Sequence, residues 1–124
     1  LVDDAITKAL AYSGHHYNTP DVLDACKSGD YQLWLVWDEE TEPKLKGVVV
    51  TKIIIRSNSK VANIFICTGK QRKLWQDRLH DIEKWAKDNK CTHFETYARP
   101  GWSKLLKQKG YKITHYLLEK KLEE

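Results

Sequence analysis

Lys70, Arg72 and Lys73 put three positive charges directly behind the apolar run Val61–Cys67 and the turn pair Thr68-Gly69. Downstream, Trp75, Leu79, Ile82 and Ala86 recur at helical spacing with Trp85 beside them, the stripe of a long amphipathic helix. A strand that enters a helix through a turn points free backbone N–H groups outward, and the helix dipole favours negative charge there. The chemistry of such a place is anion binding, and a phosphorylated cofactor is the ligand it suits.

Other chemistry-bearing residues are less sharply grouped. His93, Glu95 and Tyr97 alternate, so a strand over Cys91–Ala98 puts all three on one face. Asp77, His80, Asp81 and Lys84 share a helix face. They could recruit a metal, but a solvated face with i,i+4 pairing is the expected reading. His15-His16 is a polar pair in a loop. Cys67 reads as a small apolar strand residue, since no Cys–His spacing marks it as a nucleophile. Trp34, Trp37, Trp75 and Trp85 read as core, and Trp102 opens a short helix after Pro100-Gly101.

The elements that would position these groups follow from punctuation and period. Val2 to about Tyr12 reads as a helix with Ile6, Ala9 and Leu10 on one face. Thr19-Pro20 starts a second helix, and Gly29 ends it. Strands follow over Tyr31–Trp37, Lys46–Arg56 and Lys60–Cys67, separated by the acidic turn Asp38–Pro43 and by Ser57-Asn58-Ser59. Val48–Val50 and Ile53–Ile55 suit burial on both sides. The long helix runs from about Lys70 to Asn89. Then come the strand Cys91–Ala98, a short helix Trp102–Lys109 ended by Gly110, and a last strand Tyr111–Leu122. The order α-α-β-β-β-α-β-α-β predicts a mixed, mostly antiparallel sheet with helices on both faces.

Composition narrows the function classes. The 124 residues suit one domain spanning 1–124, large enough to bury a core unaided. Three widely spaced cysteines without Cys-x-x-Cys give neither a disulfide framework nor a zinc motif, which suits reduced thiols in a cytoplasmic setting. No run approaches the roughly 20 apolar residues of a membrane span, and none reads as a signal peptide. The start at Leu1 leaves a preceding segment open. Residues 1–62 carry a net charge of −2 and residues 63–124 a net of +6. The basic half suits an anionic partner. Nucleic acid is a weak candidate: Lys70/Arg72/Lys73 and Lys104/Lys107/Lys109 form clusters, but the aromatics from Tyr97 onward do not interleave with them.

The order of elements, with Ile64–Thr68, Lys70–Asn89, Cys91–Ala98 and the run Lys104–Tyr111, resembles the GNAT family of acyl-coenzyme A-dependent N-acyltransferases. The resemblance covers nearly the whole chain. Trp102 to Gly110-Tyr111 further resembles small GNAT-like proteins encoded by bacteriophages. The family's pyrophosphate turn, Gln/Arg-x-x-Gly-x-Gly/Ala, falls on Gln71, with Leu74 and Gln76 where small residues are expected. A tyrosine that many members use as general acid falls on Leu106, which has no proton to give. Tyr111 matches the family's common structural aromatic.

The resemblance implies acetyl-CoA bound over Ile66, Cys67, Thr68, Lys70, Gln71, Arg72, Lys73 and Leu74. It implies transfer of the acetyl group to a primary amine of a protein lysine, an N-terminus, a polyamine or a small molecule. Glu95 then becomes the expected base and Tyr97 the acid. The acidic stretch Asp38–Glu42 would suit a cationic acceptor. The departures at Leu74, Gln76 and Leu106 support an alternative: an inactive GNAT-fold module that binds a host or virion protein, with nucleic acid the lesser candidate. Under either reading the expectation is a monomer or dimer in the cytoplasm, the host's if the protein is phage-encoded.

Overall fold

The computed structural model describes residues 4, 6, 7, 18–42, 44–69, 79–96, 106–114 and 118–122, and of 67–69 the backbone only. Asp4, Ile6 and Thr7 have helical backbone. Helix α1 is Thr19–Ser28, strand β1 Tyr31–Trp37, β2 Leu45–Arg56, β3 Ser59–Gly69, helix α2 Leu79–Asp88 and β4 His93–Thr96. The sheet order is β1-β2-β3-β4, antiparallel for the first two pairs and parallel for the third. A parallel neighbour needs a crossover, and α2 lies on that connection.

The helix ends show why the segments start and stop where they do. Asn18, not Thr19, is the cap of α1. Its backbone is extended and its Oδ1 accepts the Asp21 N–H at 3.0 Å. Thr19 is already helical, and its hydroxyl hydrogen-bonds that of Thr7 at 2.6 Å. Gly29 closes α1 at φ +90. The end of α2 places Lys90 in the same left-handed region at φ 64, with Cys91 N–H donating to the Ala86 carbonyl at 3.0 Å.

β2 is buried on both sides, and its β-branched run suits that. Alternation sends Val48 and Val50 to one face, where they pack with Ile6, Val22 and Ile66. Val49 goes to the other, where it packs with Ile64, Leu79, Ile82 and Leu106. Helix α1 therefore covers one face and α2 the opposite one.

Three sequence expectations are corrected. Ile55 is 78% exposed rather than buried. β1 pairs β2 only as far as Lys52, so the hairpin end of β2 projects beyond its outer neighbour. Trp37 is not core: it lies at the end of the edge strand, past a register slip, with Nε1 donating to Glu39 Oε1 at 2.7 Å. The last strand does not form over the described residues 111–114 and 118–122, which join no ladder. Leu118 and Leu122 are 89% and 80% exposed, so nothing rewards ordering them in a sheet.

Candidate functional site

The ladder between β2 and β3 breaks at one point. Val50 faces Ile66 and Thr51 faces Ile64, so the register slips by one residue at Phe65. This is a β-bulge, a device that disrupts pairing locally and re-aims the strand. The bulge turns Ile64 and Ile66 to opposite faces although they are two residues apart, one under α2 and one under α1. Phe65 joins the α1 side, edge-on to Tyr31 at 4.9 Å, with Lys52 Nζ 4.9 Å from the Phe65 ring centre. On the other side of β3, the described pairing with β4 ends at Ile64 opposite Thr96. β3 runs on to Gly69, and the bulge opens just past that last pair.

Glu95 stands one residue before the end of that ladder, opposite Asn63. Asn63 Nδ2 donates to Glu95 Oε1 at 2.8 Å. Arg56, from the far end of β2, donates from Nη1 to Oε2 at 3.1 Å and from Nη2 to Oε1 at 3.3 Å. A forked guanidinium on a carboxylate fixes the plane of both groups. Glu95 remains a third exposed, so the pair is screened by water on one side. Asn63 is fully buried, and its Oδ1 has no hydrogen-bond partner. An unsatisfied buried acceptor costs about 1–3 kcal/mol.

The other expected site residues divide between the described chain and the rest of it. Ile66 is buried in the α1-side core, and the Cys67 and Thr68 backbones pair with Val49 and Val48. Lys70, Gln71, Arg72, Lys73, Leu74, Gln76 and Tyr97 lie outside the described residues, as do His15, His16, Trp75, Asp77 and Trp102. His93 is exposed, its Nδ1 2.8 Å from Thr92 Oγ1. His80, Asp81 and Lys84 are exposed on α2, and among the described residues no three His, Cys, Asp or Glu converge as metal ligands. Asp38 spends its carboxylate on its own turn, accepting from Glu40 N–H at 2.9 Å and Thr41 Oγ1 at 3.1 Å. Burial pushes the Cys26 thiol above its usual range, which makes it a poor nucleophile.

Leu106 is a core residue, packed with Ile64, Leu79 and Ile82. Gly110 at φ +93 ends the short helix, and Tyr111 N–H donates back to the Leu106 carbonyl at 3.0 Å. The Tyr111 ring lies edge-on to Phe94 at 6.0 Å, which makes it structural. Burial first, then the negative charge of Glu83, raises its phenol well above the usual value. Glu83 stands close without hydrogen-bonding geometry, so Tyr111 Oη has no partner.

Arg56 and Asn63, the hydrogen-bond partners of Glu95, are residues that the sequence reading passed over. Asn63 had a visible signal: it is the one polar residue in the run Val61–Cys67. Arg56 had none, because it reaches Glu95 across 39 positions of chain.

Among the described residues, no helix is long and apolar enough to cross a membrane. No family model matches the sequence, and no curated protein matches it. Solved structures do. An acetyltransferase of Trypanosoma brucei superposes with a TM-score of 0.70 at 8% identity, over 98% of this chain and 93% of that one. The glucosamine-6-phosphate N-acetyltransferase of Arabidopsis thaliana gives 0.69 at 11% identity, over 85% and 77%. A GNAT family acetyltransferase of Staphylococcus aureus gives 0.63 at 18% identity, over 96% and 88%. Likeness at such low identity speaks for the path of the backbone, and that path is the GNAT acetyltransferase fold.

Proposed function

We propose that this protein is an N-acetyltransferase that moves an acetyl group from acetyl-CoA to a primary amine. The observation that carries the reading is the bulge at Phe65, placed just past the last described β3–β4 pair. A bulge disrupts the ladder locally and re-aims the strand, and backbone N–H groups so re-aimed can hold a carbonyl oxygen. Acetyl-CoA supplies the activated acyl group as a thioester. The β3 backbone at Ile66, Cys67 and Thr68 would run along its pantetheine arm, with Lys70, Gln71, Arg72, Lys73 and Leu74 at its phosphates.

The chain's own chemistry is then simple. Backbone N–H groups beside the bulge stabilise negative charge developing on the carbonyl oxygen. Glu95 takes the proton that the attacking nitrogen loses, and Tyr97 gives one to the departing thiolate. Oε2 of Glu95 accepts from Arg56 alone among these bonds, and the partial exposure of the side chain leaves a path for the proton.

One observation favours a second reading, a GNAT-fold module that binds a protein without catalysis. Leu106 is locked in the core where the family's acid would stand. Thermal unfolding with and without acetyl-CoA separates the two readings. Ligand at 100 times its dissociation constant adds about 2.7 kcal/mol. Stabilisation with thiol release on adding an amine supports the enzyme. The absence of any shift at millimolar acetyl-CoA sinks it.

A further inference from the structure

Two side chains hold the Glu95 carboxylate through three bonds. Asn63 Nδ2 and Arg56 Nη2 both donate to Oε1, at 2.8 and 3.3 Å, and Arg56 Nη1 donates to Oε2 at 3.1 Å. The last torsion of a glutamate side chain is broad, so rotamer preference does not fix the plane of its carboxylate. The bond from Asn63 pins one oxygen and by itself would let the other swing. The guanidinium fork pins the second oxygen and sets the plane.

The course of β2 serves this contact. β1 pairs β2 only as far as Lys52, yet β2 continues through Ile53, Ile54, Ile55 and Arg56. Burial does not reward the end of this extension, where Ile55 is 78% exposed. Arg56 pairs with Ser59, four places before Asn63 and Glu95 face each other, roughly 13 Å along the strands. Its long side chain reaches across β3 to close that distance. A lysine could bring a charge there but not a planar fork.

We propose that Arg56 is a positioning residue for the acyl transfer. It holds the plane of the Glu95 carboxylate, so that Oε2 meets the proton lost by the attacking nitrogen in one orientation. This rests on the acyl-transfer reading above. The action of Arg56 is on Glu95, not on the substrate.

The test follows the Asn63 side-chain amide resonance in the 15N-labelled full chain, because Nδ2 reports where Glu95 Oε1 stands. Arg56→Ala should move that resonance, and Arg56→Lys should not restore it. Millimolar ethylguanidinium added to the alanine variant should restore it, and tetramethylammonium, a point charge without a fork, should not. An unmoved resonance, or recovery with lysine or tetramethylammonium, overturns the proposal. Turnover is read as thiol release from acetyl-CoA, with spermidine or a lysine-containing peptide as acceptor. Arg56→Ala should lower kcat roughly 10- to 100-fold, the effect of a misplaced reacting group, with KM for acetyl-CoA unchanged and part of the loss regained on adding ethylguanidinium. A wild-type protein that releases no thiol with either acceptor overturns the role. If acetyl-CoA stabilises the protein and kcat ignores Arg56→Ala, the role of Arg56 falls and the acyl-transfer reading stands. If the resonance responds as expected and millimolar acetyl-CoA gives no stabilisation, the acyl-transfer reading falls, and Arg56 orients Glu95 for no acyl transfer.

Discussion

Arg56 grips both carboxylate oxygens of Glu95, Nη1 on Oε2 at 3.1 Å and Nη2 on Oε1 at 3.3 Å, joining the end of β2 to β4 across β3. With side chains 50% and 33% exposed, the pair sits where Coulomb attraction is partly screened. A double-mutant cycle with Arg56→Met and Glu95→Gln should give a coupling of about 0.5–1 kcal/mol that shrinks at high salt. Under the acetyltransferase reading, Glu95→Gln should also lower kcat by about 100-fold or more while acetyl-CoA still binds. Unchanged turnover removes Glu95 as the base.

Lys90 holds a left-handed backbone at the end of α2, a conformation that costs a residue with a Cβ roughly 1 kcal/mol. Gly29 and Gly110 occupy the equivalent places after α1 and the short helix. Lys90→Gly should therefore stabilise the protein by a few tenths to about 1 kcal/mol, part of the gain being lost to the freer unfolded chain. Denaturant unfolding measures it, and a loss of stability would contradict the assigned cap.

Tyr111 gives a pH signature. Its phenol ionises above the usual range in the folded protein because burial and then Glu83 oppose the charge. The unfolded chain ionises near pH 10, so above that pH the folded state binds more protons than the unfolded one. The contribution is fully present below about pH 10 and is lost as pH rises, at up to about 1.4 kcal/mol per unit. Tyr111→Phe should remove this part of the alkaline fall. It should cost little at pH 7, since the hydroxyl has no partner to lose. Urea unfolding of both proteins from pH 7 to 11 measures the difference.

Thr51 is fully buried between two strands, accepting from Trp34 Nε1 at 3.0 Å and donating to Gln32 Oε1 at 3.1 Å. Thr51→Val keeps the shape and strands both partners, so it should cost about 1–3 kcal/mol. Adding Trp34→Phe removes one orphan donor, and the double variant should be less destabilised than the sum of the two single ones. Additive losses would mean that the hydrogen bond contributes nothing.

The strands were legible because their patterns are local. β1 runs over Tyr31–Trp37 as its apolar run implies, and β2 starts one residue early. Gly29 and Gly110 ended helices as expected because no other residue takes positive φ so readily. The cap of α1 was misread by one place because Asn18 and Thr19 are both good caps, and only the backbone path chooses between them. Ile55, Trp37 and the described residues after Tyr111 were misread for a shared reason. Apolar pattern says what could be buried, while the ends of neighbouring strands decide what is.

The sequence by itself determined the mixed sheet with helices on both faces, through period and punctuation, and it put Glu95 on the face of a strand. Only the tertiary structure decided what Glu95 touches. Arg56 and Asn63 are 39 and 32 positions away, and parallel pairing through a crossover brings them together at a register no local pattern specifies. The bulge at Phe65 is likewise invisible in one strand, because a bulge is a mismatch between two.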